Sequence, residues 1–508
     1  MNLLKWLSGL LVIGIFVAMV AVQSCGPAGG SGEKELTGEL AAGRDAAKRY
    51  CSTCHLPVDP ALLDKDTWKN QVLPAMAPYL GIEVWQKSQY FASEKSAMPI
   101  AEWMNIVAYY DSLAPASLSA AHSPAAVSPD WANFKLKTPA SDTARLATTT
   151  MVAIDTASKA VFTSSSEVSS LIKWNNTFKK EEMALLPSPA IHVSFSGSPI
   201  VTAVGEMKAY DVSQGELYRL EPTGKPDAQP FITGLRRPLH TTEADFNRDG
   251  KTDYAVSAFG HALGGLYVFM QMDKGKFEKI PVREVAGATQ SVTGDFNGDG
   301  WPDIIALFAH ADEGIWLFTN NQKGGFSEKN LLRFPPVYGS SSFQLADFNR
   351  DGKPDILYTA GDNSDYSRIL KPYHGIYIFL NQGNFQFEQN WFYPVNGATK
   401  AMAADFDRDG DPDIASVAFF ADLHHNPAEK FLYFRNESPA TSGLKFQPFS
   451  PPISGLGRWI CMDVNDWDGD GDPDIVLGNY SKGFLNQEEV KADWNVYLPF
   501  LVLENANQ

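Results

Sequence analysis

A nine-residue acidic phrase, Asp-x-Asn/Asp-x-Asp-Gly-x-x-Asp followed by an apolar run, occurs five times in this chain of 508 residues, starting at Asp245, Asp295, Asp347, Asp405 and Asp466. Successive copies lie 50, 52, 58 and 61 residues apart, a period that belongs to folds assembled from repeated supersecondary units. A lone copy would suit a polar turn, because Asn and Asp side chains hydrogen-bond their own backbone. Five copies in phase need a shared chemical reason.

Hard divalent cations take about six to eight oxygen ligands, and alternate side chains on a loop turned by glycine converge on one point. In the first copy Asp245, Asn247, Asp249 and Asp253 would supply side-chain oxygens and Lys251 a backbone carbonyl. The same positions recur as Asp295, Asn297, Asp299, Asp303 with Trp301, and as Asp347, Asn349, Asp351, Asp355 with Lys353. The last two copies are more acidic: Asp405, Asp407, Asp409, Asp413 with Asp411, and Asp466, Asp468, Asp470, Asp474 with Asp472. So many carboxylates on tight loops repel one another unless a cation sits among them, so about five structural calcium ions are expected. The phrase closes on Asp at its ninth position and leads into a strand, which excludes an EF-hand. The chain holds 42 basic and 59 acidic residues, a net charge of -17. That balance argues against nucleic acid as a partner, and the loops account for much of it.

Each copy carries a strand before the loop, a second after it (304–308, 356–359), a third ending near Asn (314–320, 376–381) and a fourth opening on Phe326 or Phe387. This pattern resembles the FG-GAP/VCBS repeat family of β-propellers, which implies a calcium loop between the first and second strands of a blade. Two copies without the acidic phrase, over 151–187 and 190–235, bring the expected blades to seven. The last repeat stops after its third strand at 500–505, and Phe134-Lys135-Leu136 resembles the missing fourth, so pairing them would close the ring. The all-β propeller is expected over 131–508, after a Pro/Ala/Ser-rich linker at 116–130.

Upstream, Cys51-Ser52-Thr53-Cys54-His55 has the spacing of covalent haem attachment. No second Cys-x-x-Cys exists to complete a zinc tetrahedron. Residues 39–50 run as a helix into this motif, and 102–113 carry Trp103, Ile106, Val107, Tyr109 and Tyr110 at helical spacing. Residues 33–115 resemble class I cytochromes c in the approach to the motif, the motif itself and the final aromatic helix. The resemblance implies a small all-α domain with one covalent haem c on Cys51 and Cys54. His55 would be one axial ligand and Met98 the other, with Met76 as the alternative; Met104 reads as packing. Of the remaining cysteines, Cys461 lies in an apolar run and reads as a buried thiol, so no structural disulfide is expected.

Residues 1–24 have the pattern of a secretory signal, and Val22-Gln23-Ser24-Cys25 resembles a bacterial lipobox. That implies lipidation at Cys25, a tether over 25–32, and anchorage outside the cytoplasm at the outer membrane of a Gram-negative bacterium. An uncleaved membrane anchor would leave the rest of the chain on the same side. On the propeller face opposite the acidic loops, and at the starts of the blades, the sequence places Arg237, His240, Gln290, Lys400, Arg458, His261, His310 and His424. Asp312, Asp365, His374, Asp422 and His425 join them in the connections. Catalytic residues are not identifiable, since no nucleophile–base spacing or phosphate-cradling loop occurs. The expected function is electron transfer by a monohaem cytochrome whose propeller docks a redox partner protein or a surface polysaccharide. The alternatives are a propeller dehydrogenase passing electrons from a sugar-like small molecule to the haem, and an adhesion scaffold.

Overall fold

A computed structural model of the chain describes residues 36–195, 199–221, 229–310, 312–364, 368–439, 443–482 and 491–506, without the side chains of 181–183. The apolar stretch ending at Cys25, the tether and Asp365 lie outside the described residues. Among those residues no helix is long and apolar enough to cross a membrane.

Short strands separated by turn residues pair into seven four-stranded antiparallel sheets. Blade one is Thr149–Asp155, Ala160–Ser165, Ser170–Asn175 and Lys180–Leu185. Blade two spans 190–235, blade three 238–283, blade four 288–333, blade five 340–394 and blade six 398–449. Blade seven takes Trp459–Asn465, Asp474–Asn479 and Phe500–Asn505 from the C-terminal end of the chain and Phe134–Lys137 from before blade one. The closing register pairs Phe134 with Asn505 and Lys137 with Val502, so the ring has no open edge at its seam. Phe134 also sets its ring edge-on to Phe406 and Tyr433, at 5.7 and 5.2 Å.

In each of blades three to seven the second strand is buried along its whole length. It lies inside the sheet with a neighbouring blade on either face, hence the near-continuous apolar run after every acidic phrase. One apolar cluster fills each gap between neighbouring blades, including the gap between blades seven and one, where Val152, Trp174, Trp467 and Phe500 meet. The first strands of adjacent blades touch one another, which places them nearest the axis.

The N-terminal module has its own core, built on helices Gly38–Tyr50 and Ile100–Leu113. They cross at Gly43, where a Cβ would lie 2.1 Å from the Asn105 carbonyl oxygen, so only glycine permits the approach. The module departs from an all-α fold: left-handed Gly81 (φ 72°) ends a short helix and starts a hairpin, Ile82–Trp85 against Gln89–Ala92. The sequence reading missed it because the hairpin buries only Ile82 and gives little alternation. Met104, read as packing, is 44% exposed.

Residues Val337 and Ile369 of blade five's connections pack on the module's core, and the Tyr373 hydroxyl donates to the Leu62 carbonyl at 2.8 Å. Those connections follow second and fourth strands, so the module sits on the face opposite the acidic loops. Phe134→Ala should cost about 3–5 kcal/mol in chemical denaturation of the full chain, whereas Lys135→Ala on the same strand, exposed, should leave the midpoint nearly unchanged.

Candidate functional site

Each acidic phrase forms the loop from first to second strand. The sixth-position glycines are left-handed (φ 82°, 82°, 79°, 89° and 91° at Gly250, Gly300, Gly352, Gly410 and Gly471). That turn folds the chain back over the first residue. Asp245 accepts from the Asp249 amide with one oxygen and the Gly250 amide with the other, at 3.0 and 2.8 Å, and Asp249 accepts from the Lys251 amide at 2.9 Å. The same bonds recur at Asp347 and Asp405. The first, third and fifth carboxylates are thereby gathered: one oxygen from each of Asp405, Asp407 and Asp409 lies within 4.8 Å of the others, and the same holds for Asp466, Asp468 and Asp470.

The ninth residue has a further role. Asp253, Asp303, Asp355, Asp413 and Asp474 are fully buried. Asp303 accepts from the amides of Phe296 in the loop and Asn320 at the end of the third strand, at 3.1 and 2.8 Å. Asp474 does the same with Trp467 and Asn505, both at 2.8 Å. In blade six the Tyr433 hydroxyl takes the place of the loop amide on Asp413, at 2.7 Å. The terminal Asn completes the lock, its Nδ2 donating to the carbonyl of Pro302, Pro354, Pro412 or Pro473. In blades three, four, five and seven the ninth-position carboxylate thus fastens the loop to its blade.

The loops of blades six and seven fit a cation by their orphaned charge. Asp411 Oδ1 and both oxygens of Asp472 are buried without a hydrogen-bond partner. Burial, reinforced by Asp409 and Asp470, pushes Asp411 and Asp472 up to about 6. Burial likewise pushes Asp413 and Asp474 up to about 7. A divalent cation would supply the missing partner and hold all of them ionised.

At the end of the first helix, Cys51–Thr53 form a 3-10 turn that presents Cys51 half-buried and Cys54 exposed, neither in a disulfide. Burial, then Cys54, pushes the Cys51 thiol up to about 11. A thiol so protonated is a poor nucleophile for dithiol exchange. The His55 Nδ1 lies 2.7 Å from the Leu56 carbonyl. Donation along that contact fixes the tautomer and leaves the Nε2 lone pair for a metal. Two thiols and an oriented imidazole are the donor set that haem c requires. Met98 is buried in the module's core and Met76 lies half-buried at its margin.

The polar residues of the propeller do not meet in one cleft. His240, Gln290 and Lys400 share a register position, each following a bulge and opposite Ser257, Leu307 and Val417. His192, which the sequence reading missed, holds the same position in blade two. That blade lacks the acidic phrase from which the others were measured. The His192 and His240 rings are 4.0 Å apart, their Nδ1 atoms buried and unpartnered. Burial lowers both, with further contributions from Lys400 and, for His240, from His192; His192 falls to about 3. Lys400 donates to the Met462 carbonyl at 2.8 Å, and Gln290 accepts from the Phe343 amide at 3.4 Å.

On the far face His261 and His310 lie 5.7 Å apart, and Asp211 accepts from three successive amides, His261 to Leu263. Arg237 covers Phe259, and its Nε donates to the Met207 carbonyl at 3.1 Å. Arg458 is buried over Phe419, 3.8 Å away. His424 is exposed beside the His425–Asp422 pair.

The FG-GAP-like repeat family matches residues 245–306, 295–358 and 364–416, and the chain carries FG-GAP-like repeats on a seven-bladed β-propeller. It is similar to integrin alpha-PS3 of Drosophila melanogaster, 33% identical over 117 residues, 20% of this chain and 10% of that protein. It is also similar to the T-cell immunomodulatory protein homolog of Plasmodium falciparum, 30% identical over 135 residues, 24% of this chain and 18% of that protein. Human integrin alpha-7 is 27% identical over 185 residues, 34% of this chain and 15% of that protein. The chain therefore spans less than a fifth of the length of these relatives. Among solved structures, virginiamycin B lyase of Staphylococcus aureus is 12% identical with a TM-score of 0.46, covering 73% of this chain and 99% of its own.

In chelator, the raised carboxyls of blades six and seven keep protons that the unfolded chain releases near about pH 4. Their contribution to stability should therefore be full below about pH 4 and be lost as pH rises through 6 and 7. Melting temperatures across that range check this, and Asp413→Asn should flatten the slope.

Proposed function

We propose that this chain is an extracytoplasmic electron-transfer protein: a monohaem c-type module carried on a calcium-held propeller that docks a redox partner or a surface polymer. The observation that carries it is the attachment motif at the end of a helix that crosses the module's last helix at Gly43, with the His55 ring already fixed by the Leu56 carbonyl. Cys51 and Cys54 would hold the haem, and His55 Nε2 with the Met98 or Met76 thioether would ligate its iron. When bound, haem c supplies reversible one-electron transfer. The chain's own part is to fix the imidazole and to set the motif against an apolar core, in which Trp68, Trp103, Ile106 and Tyr110 are buried and against which Cys51 packs. The Trp68 Nε1–H and Tyr110 O–H are spent on the Pro60 and Val58 carbonyls, both at 2.9 Å.

The propeller's role in this reading is to present the module. Contact at Leu62 and Tyr373 sets it over blade five, and the acidic loops remain on the other face. A lipid at Cys25 would tether the whole at the membrane. Docking is preferred to catalysis because the candidate polar residues are distributed over separate positions and largely spent on backbone carbonyls, amides and aromatic faces.

Protein made with the bacterial haem-attachment machinery should keep a haem chromophore through denaturing electrophoresis, and Cys51→Ser with Cys54→Ser should abolish it. The reduced spectrum should lose its thioether-ligated form in one of Met98→Ala and Met76→Ala and keep it in the other. A wild-type chain that emerges colourless from such cells would overturn the proposal. Calcium should raise the melting temperature of chelator-treated protein; no change would overturn the metal reading of the loops.

A further inference from the structure

We propose that Arg350 and Arg408 couple cation binding between neighbouring blades, joining the acidic loops of blades five, six and seven into one binding unit. The inference rests on the calcium reading of the loops. Arg350 and Arg408 are the fourth residues of their loops and adopt left-handed φ (59° and 62°), which directs each side chain across the gap to the seventh residue of the next loop. The Arg350 Nη2 donates to Asp411 Oδ2. Arg408 Nη2 donates to the Asp470 carbonyl at 3.3 Å and stands 3.6 Å from Asp472 Oδ2.

Charge gives the reason for the pairing. Loops six and seven each hold five aspartates, because their seventh residues, Asp411 and Asp472, are acidic as well. A single divalent cation leaves such a loop anionic, and an arginine from the preceding blade offsets part of the excess. The pairing follows the seventh residue around the ring. Arg248 lies over the Trp301 ring at 5.1 Å. Where the fourth residue is Gly298, the next loop's seventh residue is Lys353, which turns back to its own Asp351 at 2.6 Å. The link is therefore absent between blades four and five and present from five to seven.

The seventh residues also touch the binding positions. The amides of Asp411 and Asp472 donate to Asp409 and Asp470, both at 3.0 Å. A cation that fixes one loop therefore fixes the arginine it carries, and that arginine holds the next loop in its binding shape. Such coupling is reciprocal by linkage. Both guanidinium side chains are about half exposed, at 52% and 44%, so their removal leaves no buried cavity.

Isothermal titration of calcium chloride into the calcium-stripped full chain tests this. The wild type should show one group of sites filling more steeply than independent binding allows. In Arg350→Met/Arg408→Met the steep phase should spread, with that group weakened roughly fivefold or more at unchanged stoichiometry. Gly298→Arg/Lys353→Asp should enlarge the steep group: the Gly298 Cβ position is open and its φ of 75° lies in the region used by the other fourth residues. Calcium uptake with superimposable wild-type and arginine-variant isotherms would overturn the coupling alone. No uptake at all would overturn the calcium reading and the coupling with it.

Discussion

A buried carboxylate with two hydrogen-bond donors, repeated in five blades (two backbone amides in four of them, an amide and the Tyr433 hydroxyl in blade six), is the interaction on which the propeller's acidic face depends. An ionised group without access to water is costly unless its lone pairs are occupied. The ninth-position aspartates meet that demand by tying three parts of a blade together: the loop, the start of the second strand and the end of the third. The arrangement falls short of full compensation at Asp413 and Asp474, whose carboxyls remain raised to about 7. The remaining deficit lies beside the gathered first, third and fifth carboxylates. The same residues therefore hold the blade together and concentrate negative charge at its loop.

The spacing of the acidic phrases was enough to read five blades, because each phrase leads directly into the fully buried second strand of a blade. The closing strand was legible for a related reason: an incomplete seventh repeat leaves an edge, and Phe134-Lys135-Leu136 is the segment before blade one that supplies the apolar anchor at Phe134. What escaped was whatever the phrase did not mark. His192 holds the register position of His240, Gln290 and Lys400 in a blade without an acidic loop. The hairpin at Ile82–Trp85 is set by Gly81 and by contacts of the module rather than by alternation along its own strands. The second task of the ninth aspartate also escaped, since the partner amides of Asp303 come from residues 7 before it and 17 after it.

Blade five differs from the others in what its connections carry. Tyr373 stacks on Tyr338 at 4.8 Å, and Phe334 stacks on Tyr358 at 4.2 Å, so an aromatic layer lies beneath the place where Leu62 of the helical module is held. Ser340 links that layer to the buried Glu313, accepting nothing from it and donating through both amide and hydroxyl. The contact is thus backed by packed rings and a satisfied carboxylate. The linker adds a second fastening: the Tyr393 hydroxyl donates to the Ala125 carbonyl, and Ser128 pairs with Phe449 at the outer edge of blade six.

The polar residues of the innermost strands are, like those of the far face, engaged within the protein. His192 and His240 are adjacent and desolvated, with Lys400 as a nearby positive charge, so protonating either would place like charges together away from water. Burial therefore disfavours the charged form of both imidazoles. Lys400 is held by the Met462 carbonyl and the Asp463 carboxylate accepts from the Ile154 amide, contacts that tie blade six to seven and seven to one. Polar residues nearest the axis are thus used to join blades.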